Sequence, residues 1–197
     1  MLLRWVGINA TDRRLEAAAV RREHGSLGEQ QTAAILSRLP AGWTVLHDLA
    51  VPGRRFNLDH VLIPPSGTGL VVIDSKKWRR SWQGRPCPTT LVRGRLHCGP
   101  QDRHQQIVDF AGYVSGTAAV LRVPASALLP VIVVHGSPVA GGRIDVRVPA
   151  WERTVHVVAA DRLLETLVGV PGGRDPVRAA KLADRVRATL PPYGTTA

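Results

Sequence analysis

Only two cysteines, Cys87 and Cys98, occur in 197 residues. That excludes a disulfide framework and points to a reduced, cytoplasmic setting. Long apolar runs are also missing. The most concentrated one, Leu128 to Val134, is far too short to span a bilayer. The opening MLLRWVGINATDRR carries no extended apolar segment and no small-residue cleavage site, so no signal peptide and no membrane partner are expected. No internal repeat or extended low-complexity stretch occurs. The phosphate loop G-x-x-x-x-G-K-S/T is absent, as is the G-x-S-x-G nucleophile elbow, so nothing points to nucleotide hydrolysis or to a serine hydrolase. Cys87, His97, Cys98 and His104 match no common zinc spacing. Acidic residues are few: 15 Asp plus Glu stand against 26 Lys plus Arg, a formal net charge of +11. That excess favours a polyanionic partner, nucleic acid before an anionic membrane surface, with a basic proteome or simple solubility as the bland alternative.

What is present is a chain with 44% hydrophobic residues, enough for one ordinary core. Residues 1–25 are charged and alanine-rich and read as an N-terminal arm with a short helix from Thr11 to about Glu23. The main domain is expected over 26–190, followed by a frayed tail over 191–197. Ser26 to Leu39 reads as a helix, with Ser26 and Glu29 spaced as a capping box. Trp43 to Val51 reads as a strand. Val61 to Ile63 and Leu70 to Ile73 read as buried strands joined by the turn at 64–69. Ser81 to Cys98 reads as one hairpin turning at Arg93-Gly94. A helix follows over Asp102 to Arg122, with Ile107, Phe110, Ala111, Val114 and Ala118 on one face. Leu129 to His135 has the character of a central strand and Thr154 to Val158 repeats it. Asp161 to Val168 and Pro176 to Leu190 read as closing helices, the second capped by Asp175. The expected fold class is α/β, a three-layer domain with a central mixed sheet flanked by helices.

The chemistry concentrates in Arg55 to Trp78, RFNLDHVLIPPSGTGLVVIDSKKW. Symmetric pairing about Ser66-Gly67 sets Asp59 opposite Asp74. Asp74 and Lys76, two apart, share a strand face. Carboxylates in an apolar sheet must be paired, hydrogen-bonded or bound to a cation. Two facing each other also repel. Mg²⁺ or Mn²⁺ resolves both conditions, and Asp59 and Asp74 are the expected ligands. The competing reading is an Asp74 salt bridge to Lys76 or Lys77. Glu29 has the capping box as its competitor. His60 points away from Asp59 on a regular strand and reads as a core histidine. Arg54, Arg55, Lys77, Arg79 and Arg80 form a basic set around the site, suited to phosphates, against a plain solvated face. Trp82 is a candidate base-stacking residue, whereas Trp78 reads as packing.

Gly28-Glu29, the LDHVLI segment at Leu58 to Ile63 and the VVIDSKKW segment at Val71 to Trp78 resemble the nuclease-related domain (NERD), a family grouped with the PD-(D/E)xK nuclease superfamily. The resemblance spans roughly residues 25–135 and is strongest over 55–78. It implies a restriction-endonuclease-like core and a metal-dependent nuclease acting on DNA, with RNA as the second substrate. A helicase or similar DNA-processing partner goes with it. It also implies an active site of Glu29, Asp59, Asp74 and Lys76. This chain has Asp74 where the family usually has glutamate, a reach shorter by about 1.5 Å. Gly99-Pro100 stands where the family often has Asn-Pro before a glutamine. Gln101, Gln105 and Gln106 all compete for that role, with Gln105 expected as a secondary polar contact on the following helix. Two other functions remain open at this level: a nucleic-acid-binding module without catalysis, and a regulatory protein-interaction domain.

Overall fold

The two most apolar runs pair at the centre of the protein. A computed structural model describes residues 27–78, 81–82, 84–149, 151–169 and 172–194. The expected N-terminal arm, the Ser26 cap, Arg79 and Arg80 lie outside them. Strand β3 (Leu70–Lys77) lies parallel to β9 (Leu128–His135), from Leu70 opposite Leu128 to Lys77 opposite His135. Strands β1 (Thr44–Ala50) and β2 (Asn57–Ile63) extend the sheet antiparallel on one side. On the other side β11 (Trp151–Ala159) runs parallel to β9, and β10 (Arg143–Val148) closes the edge antiparallel to β11. The six-stranded mixed sheet therefore runs β1-β2-β3-β9-β11-β10.

Helices cover both faces. Helix α1 (27–36) and α3 (Leu163–Val168) bury Leu36, Leu163 and Leu167 against Leu62, Ile73, Val131 and Val133. On the opposite face α2 (His104–Leu121) and α4 (Pro176–Thr189) bury Ile107, Phe110, Val114, Ala183 and Val186 over Val61, Ile63, Val72 and Ile132. This is the expected three-layer α/β arrangement of a restriction-endonuclease-like core. Helix α2 starts where the Asp102 carboxylate accepts the His104 amide at 2.7 Å, and it ends at Arg122 in the left-handed conformation. The expected Asp175 cap of α4 is present, accepting the Arg178 amide at 2.9 Å. The β2–β3 turn packs tightly under α4. Gly67 has φ of 60°, and a Cβ there would stand 2.5 Å from the Ala179 nitrogen.

Three expectations change. The single hairpin over Ser81–Cys98 is two ribbons, β4 (Ser81–Trp82) with β5 (Arg85–Pro86), and β6 (Thr89–Val92) with β7 (Arg95–Cys98). Pro86 and Pro88, which lack amide donors, interrupt the ladder on either side of Cys87. The Arg93-Gly94 turn holds, both residues having positive φ, and β8 (Gln101–Asp102) adds a third strand to the second ribbon. Strand β10 is additional: Arg143 to Val148 alternates polar and apolar at every position, and its apolar half is buried. The start of the tail is not free. The Ala50 amide donates to the Pro191 carbonyl and the Tyr193 amide to the Asp48 carbonyl, each at 2.7 Å, which fastens 191–193 along β1.

Candidate active site

The β2–β3 ladder opens at the acidic residues. His60 pairs with Ile73, Val61 with Val72 and Leu62 with Val71. One step further the same register sets Asp59 across from Asp74, but the ladder has ended, and β3 continues paired only with β9. Strand β1 bends beside this point, with Asp48 left-handed at φ of 48°. The Ser75 amide, left without a strand partner on that side, donates to Asp59 Oδ2 at 2.7 Å. This bond fixes one carboxylate in the fork of the sheet. The other, Asp74, accepts a hydrogen bond from Lys76 Nζ through Oδ1 at 3.0 Å. Its Oδ2 lies 2.8 Å from the same nitrogen, so the ammonium bridges both carboxylate oxygens.

The fork forms one wall of a cleft of about 280 Å³. Asp59, Asp74 and Lys76 share it with Ile73, Leu58 and Asn57 from the sheet. Arg55 and Phe56 come from the loop before β2, and Phe110 and Tyr113 from α2. The Phe56 and Tyr113 rings stack with centroids 4.3 Å apart and planes 19° from parallel.

The electrostatics follow from burial in a shared site. Burial pushes Asp59 up to about 7, with Asp74 and Glu29 adding to the rise and the Ser75 amide opposing it. Burial also raises Asp74, and the Lys76 charge and hydrogen bond offset this only in part. Burial alone would lower Lys76, but Asp74 and then Asp59 outweigh it and hold the ammonium above its ordinary value. Glu29 on α1 is raised by burial, then by Asp48 and Asp74. Three carboxylates thus crowd the Lys76 ammonium, and all three are held toward the protonated form. Among the described residues, no group of three or more His, Cys, Asp or Glu side chains stands close enough to hold a metal ion. The donor set facing the cleft is a carboxylate pair. That pair fits a hard divalent cation, which prefers carboxylate oxygens and would relieve the repulsion between two buried carboxylates that share the Lys76 ammonium.

Behind the fork, on the α1 face, a polar chain supports β3. Ser75 Oγ donates to Thr32 Oγ1 at 2.9 Å, and Thr32 Oγ1 lies 2.8 Å from His135 Nε2. His60 Nε2 stands 3.4 Å from Ser75 Oγ, and its Nδ1 lies 2.7 Å from His47 Nδ1. Burial, then the neighbouring His47, lowers His60 to about 3, so it is neutral at physiological pH. His60 is thus a core residue on the far face from Asp59, as the strand alternation predicts.

Residues 24–104 match the nuclease-related domain family. No curated protein and no solved structure matches the chain. The nuclease-related stretch contains Glu29, Asp59, Asp74 and Lys76, whereas the facing wall of the cleft, Phe110 and Tyr113, lies beyond it. Of the sequence-predicted residues, the structure brings together Asp59, Asp74 and Lys76, with Arg55 at the same cleft. Glu29 stands outside the cleft lining but within electrostatic reach of Asp74. Arg54 lies along α2, its guanidinium close to Gly116. Lys77 points to the opposite face, where its Cβ packs near Gly28 of α1. Gln105 is exposed and donates to Asp109 at 2.9 Å, so it does not reach the cleft. Gln106 instead accepts the Trp78 indole N–H at 3.1 Å. Trp78 is 3% exposed, a packing residue as expected. The Trp82 side chain lies outside the described atoms. Phe56 and Tyr113 were not among the predicted site residues. The available signal was that Tyr113 falls seven residues after Gln106 and three after Phe110, on one side of the helix.

Proposed function

We propose that this nuclease-related domain is a metal-dependent nuclease that hydrolyses DNA phosphodiester bonds, with RNA as the secondary substrate. The observation that carries the reading is the facing pair of buried carboxylates, Asp59 and Asp74, in one cleft with Lys76. Asp59 and Asp74 are the residues that would hold Mg²⁺ or Mn²⁺. Such an ion, when bound, supplies activation of water and neutralisation of phosphate charge. Asp59 is anchored through Oδ2 by Ser75, which leaves Oδ1 as its ligand atom. Lys76 is held charged, so it acts as an ammonium that steadies the negative charge gathering on the phosphate rather than as a base. Glu29, on α1 and outside the cleft lining, acts on the carboxylate pair through its charge or through a water. Arg54 and Arg55 bind backbone phosphates beside the cleft. Lys77, on the opposite face, and Gln105, bonded to Asp109, are not assigned a contact at the cleft; Arg79 and Arg80 are proposed as phosphate contacts from the sequence, and no residue is assigned to base readout.

The test incubates the protein with supercoiled plasmid and with labelled single-stranded DNA in Mg²⁺, Mn²⁺ or EDTA. Cleavage in either metal and none in EDTA is the expected result. Unchanged DNA in every condition, together with a metal-independent shift of the same DNA, would make the chain a binding module instead.

A further inference from the structure

The cleft carries a feature that phosphodiester hydrolysis does not require. Tyr113 stands on the exposed side of α2, 39% exposed despite its size. One face of its ring is covered by Phe56. Its helix neighbours are small: a Cβ at Gly112 would meet nothing within 4 Å, and one at Gly116 would only touch Phe56 and Arg54 at ordinary contact distances. The helix surface is thus open at Gly112, while Phe56 and the Arg54 guanidinium cover it at Gly116, one turn on. Both aromatic rings line the same cleft as Asp59, Asp74 and Lys76. The cleft volume, about 280 Å³, falls at the small end of small-molecule sites. It suits one nucleotide rather than a paired segment.

We infer that the Phe56–Tyr113 stack is a platform for one unpaired base next to the scissile phosphate, so that the domain selects single-stranded DNA or the frayed end of a duplex. This rests on the reading of the cleft as a nuclease site. The geometry supplies each part of the recognition. A π-face accepts any base without reading its sequence, and Phe56 backs the tyrosine so that the ring does not yield. Arg54 and Arg55 hold the flanking phosphates. A duplex meets the same arginines but keeps its bases within its own stack, and gains nothing from the ring. Tyr113 is in this sense a specificity-determining residue, and the phenol oxygen is not needed for it.

The experiment measures binding in EDTA, where no cleavage intervenes, by anisotropy of a labelled oligothymidylate and of a blunt duplex of equal length. Wild type is compared with Tyr113→Ala and Tyr113→Phe. Stacking on one base predicts about tenfold weaker single-strand binding for Tyr113→Ala. Duplex binding should change less than about twofold, and Tyr113→Phe should match wild type on both DNAs. Equal losses on both DNAs, or no loss on the single strand, overturn the inference. Circular dichroism of each variant confirms that α2 is retained. The two levels fail separately. Metal-dependent cleavage by a protein whose single-strand binding ignores Tyr113 removes the platform and keeps the nuclease. Tyr113-dependent binding without cleavage does the reverse.

Discussion

Replacing Asp59 by asparagine keeps an acceptor for the Ser75 amide and removes the charge. In the metal-free protein this variant should lose a pH dependence that the wild type carries. Burial and Asp74 push Asp59 up to about 7, against an ordinary value of 3.8. Between those limits the folded protein keeps a proton that the unfolded chain has released. Stability is therefore fully present below the unfolded value and falls as pH rises through the folded one. From pH 5 to pH 7 the span is two units at about 1.4 kcal/mol each, an upper bound of about 3 kcal/mol. Sharing of the proton with Asp74 and water in the cleft reduce this to about 1–2 kcal/mol. For a protein of this size that is about 2–8 °C in Tm. Thermal unfolding in EDTA at pH 5 and pH 8 measures it. The wild type should lose that much more than Asp59→Asn on going to pH 8, and Mg²⁺ should return stability at pH 8 to the wild type more than to the variant. Parallel pH profiles for the two proteins would refute the argument that Asp59 is held protonated by its surroundings.

Two further outcomes follow from the same geometry. Lys76→Met leaves Asp74 in the fork without its ion-pair partner, and the variant should unfold about 1–3 kcal/mol more easily at pH 8 in urea, the partial exposure of both side chains keeping the loss below that of a fully buried pair. The same variant should cut DNA more slowly at saturating metal. Gly67→Ala forces a side chain into a left-handed turn with a Cβ 2.5 Å from Ala179 nitrogen, and should cost about 2 kcal/mol or more in urea denaturation while leaving DNA binding in EDTA unchanged.

Much of the fold was legible because the central strands are continuous apolar runs and α2 has a clear buried stripe. The acidic site was legible for a related reason: Asp59 and Asp74 interrupt those runs, and turn symmetry sets them across from each other. What the sequence withheld was the fork itself. The ladder stops at His60 and Ile73, and the Ser75 amide turns to a side chain, which no local pattern announces. The break at Pro86 and Pro88 and the alternation of Arg143 to Val148 are both visible in the sequence. Gln105 and Gln106 differ only by helix phase, and phase depends on where Asp102 starts the helix. Phe56 and Tyr113 lie far apart in sequence, on a loop and a helix, and only the tertiary fold brings their rings together.

The measurement that bears most directly on the nuclease reading is plasmid and single-strand cleavage in Mg²⁺ by wild type beside Asp74→Ala, with binding of both proteins followed in EDTA. Cleavage by the wild type that vanishes in Asp74→Ala, while both proteins still bind DNA, is the expected result. Equal cleavage by the two proteins, or none by either with equal binding, would contradict it and leave the carboxylate fork a structural ion pair.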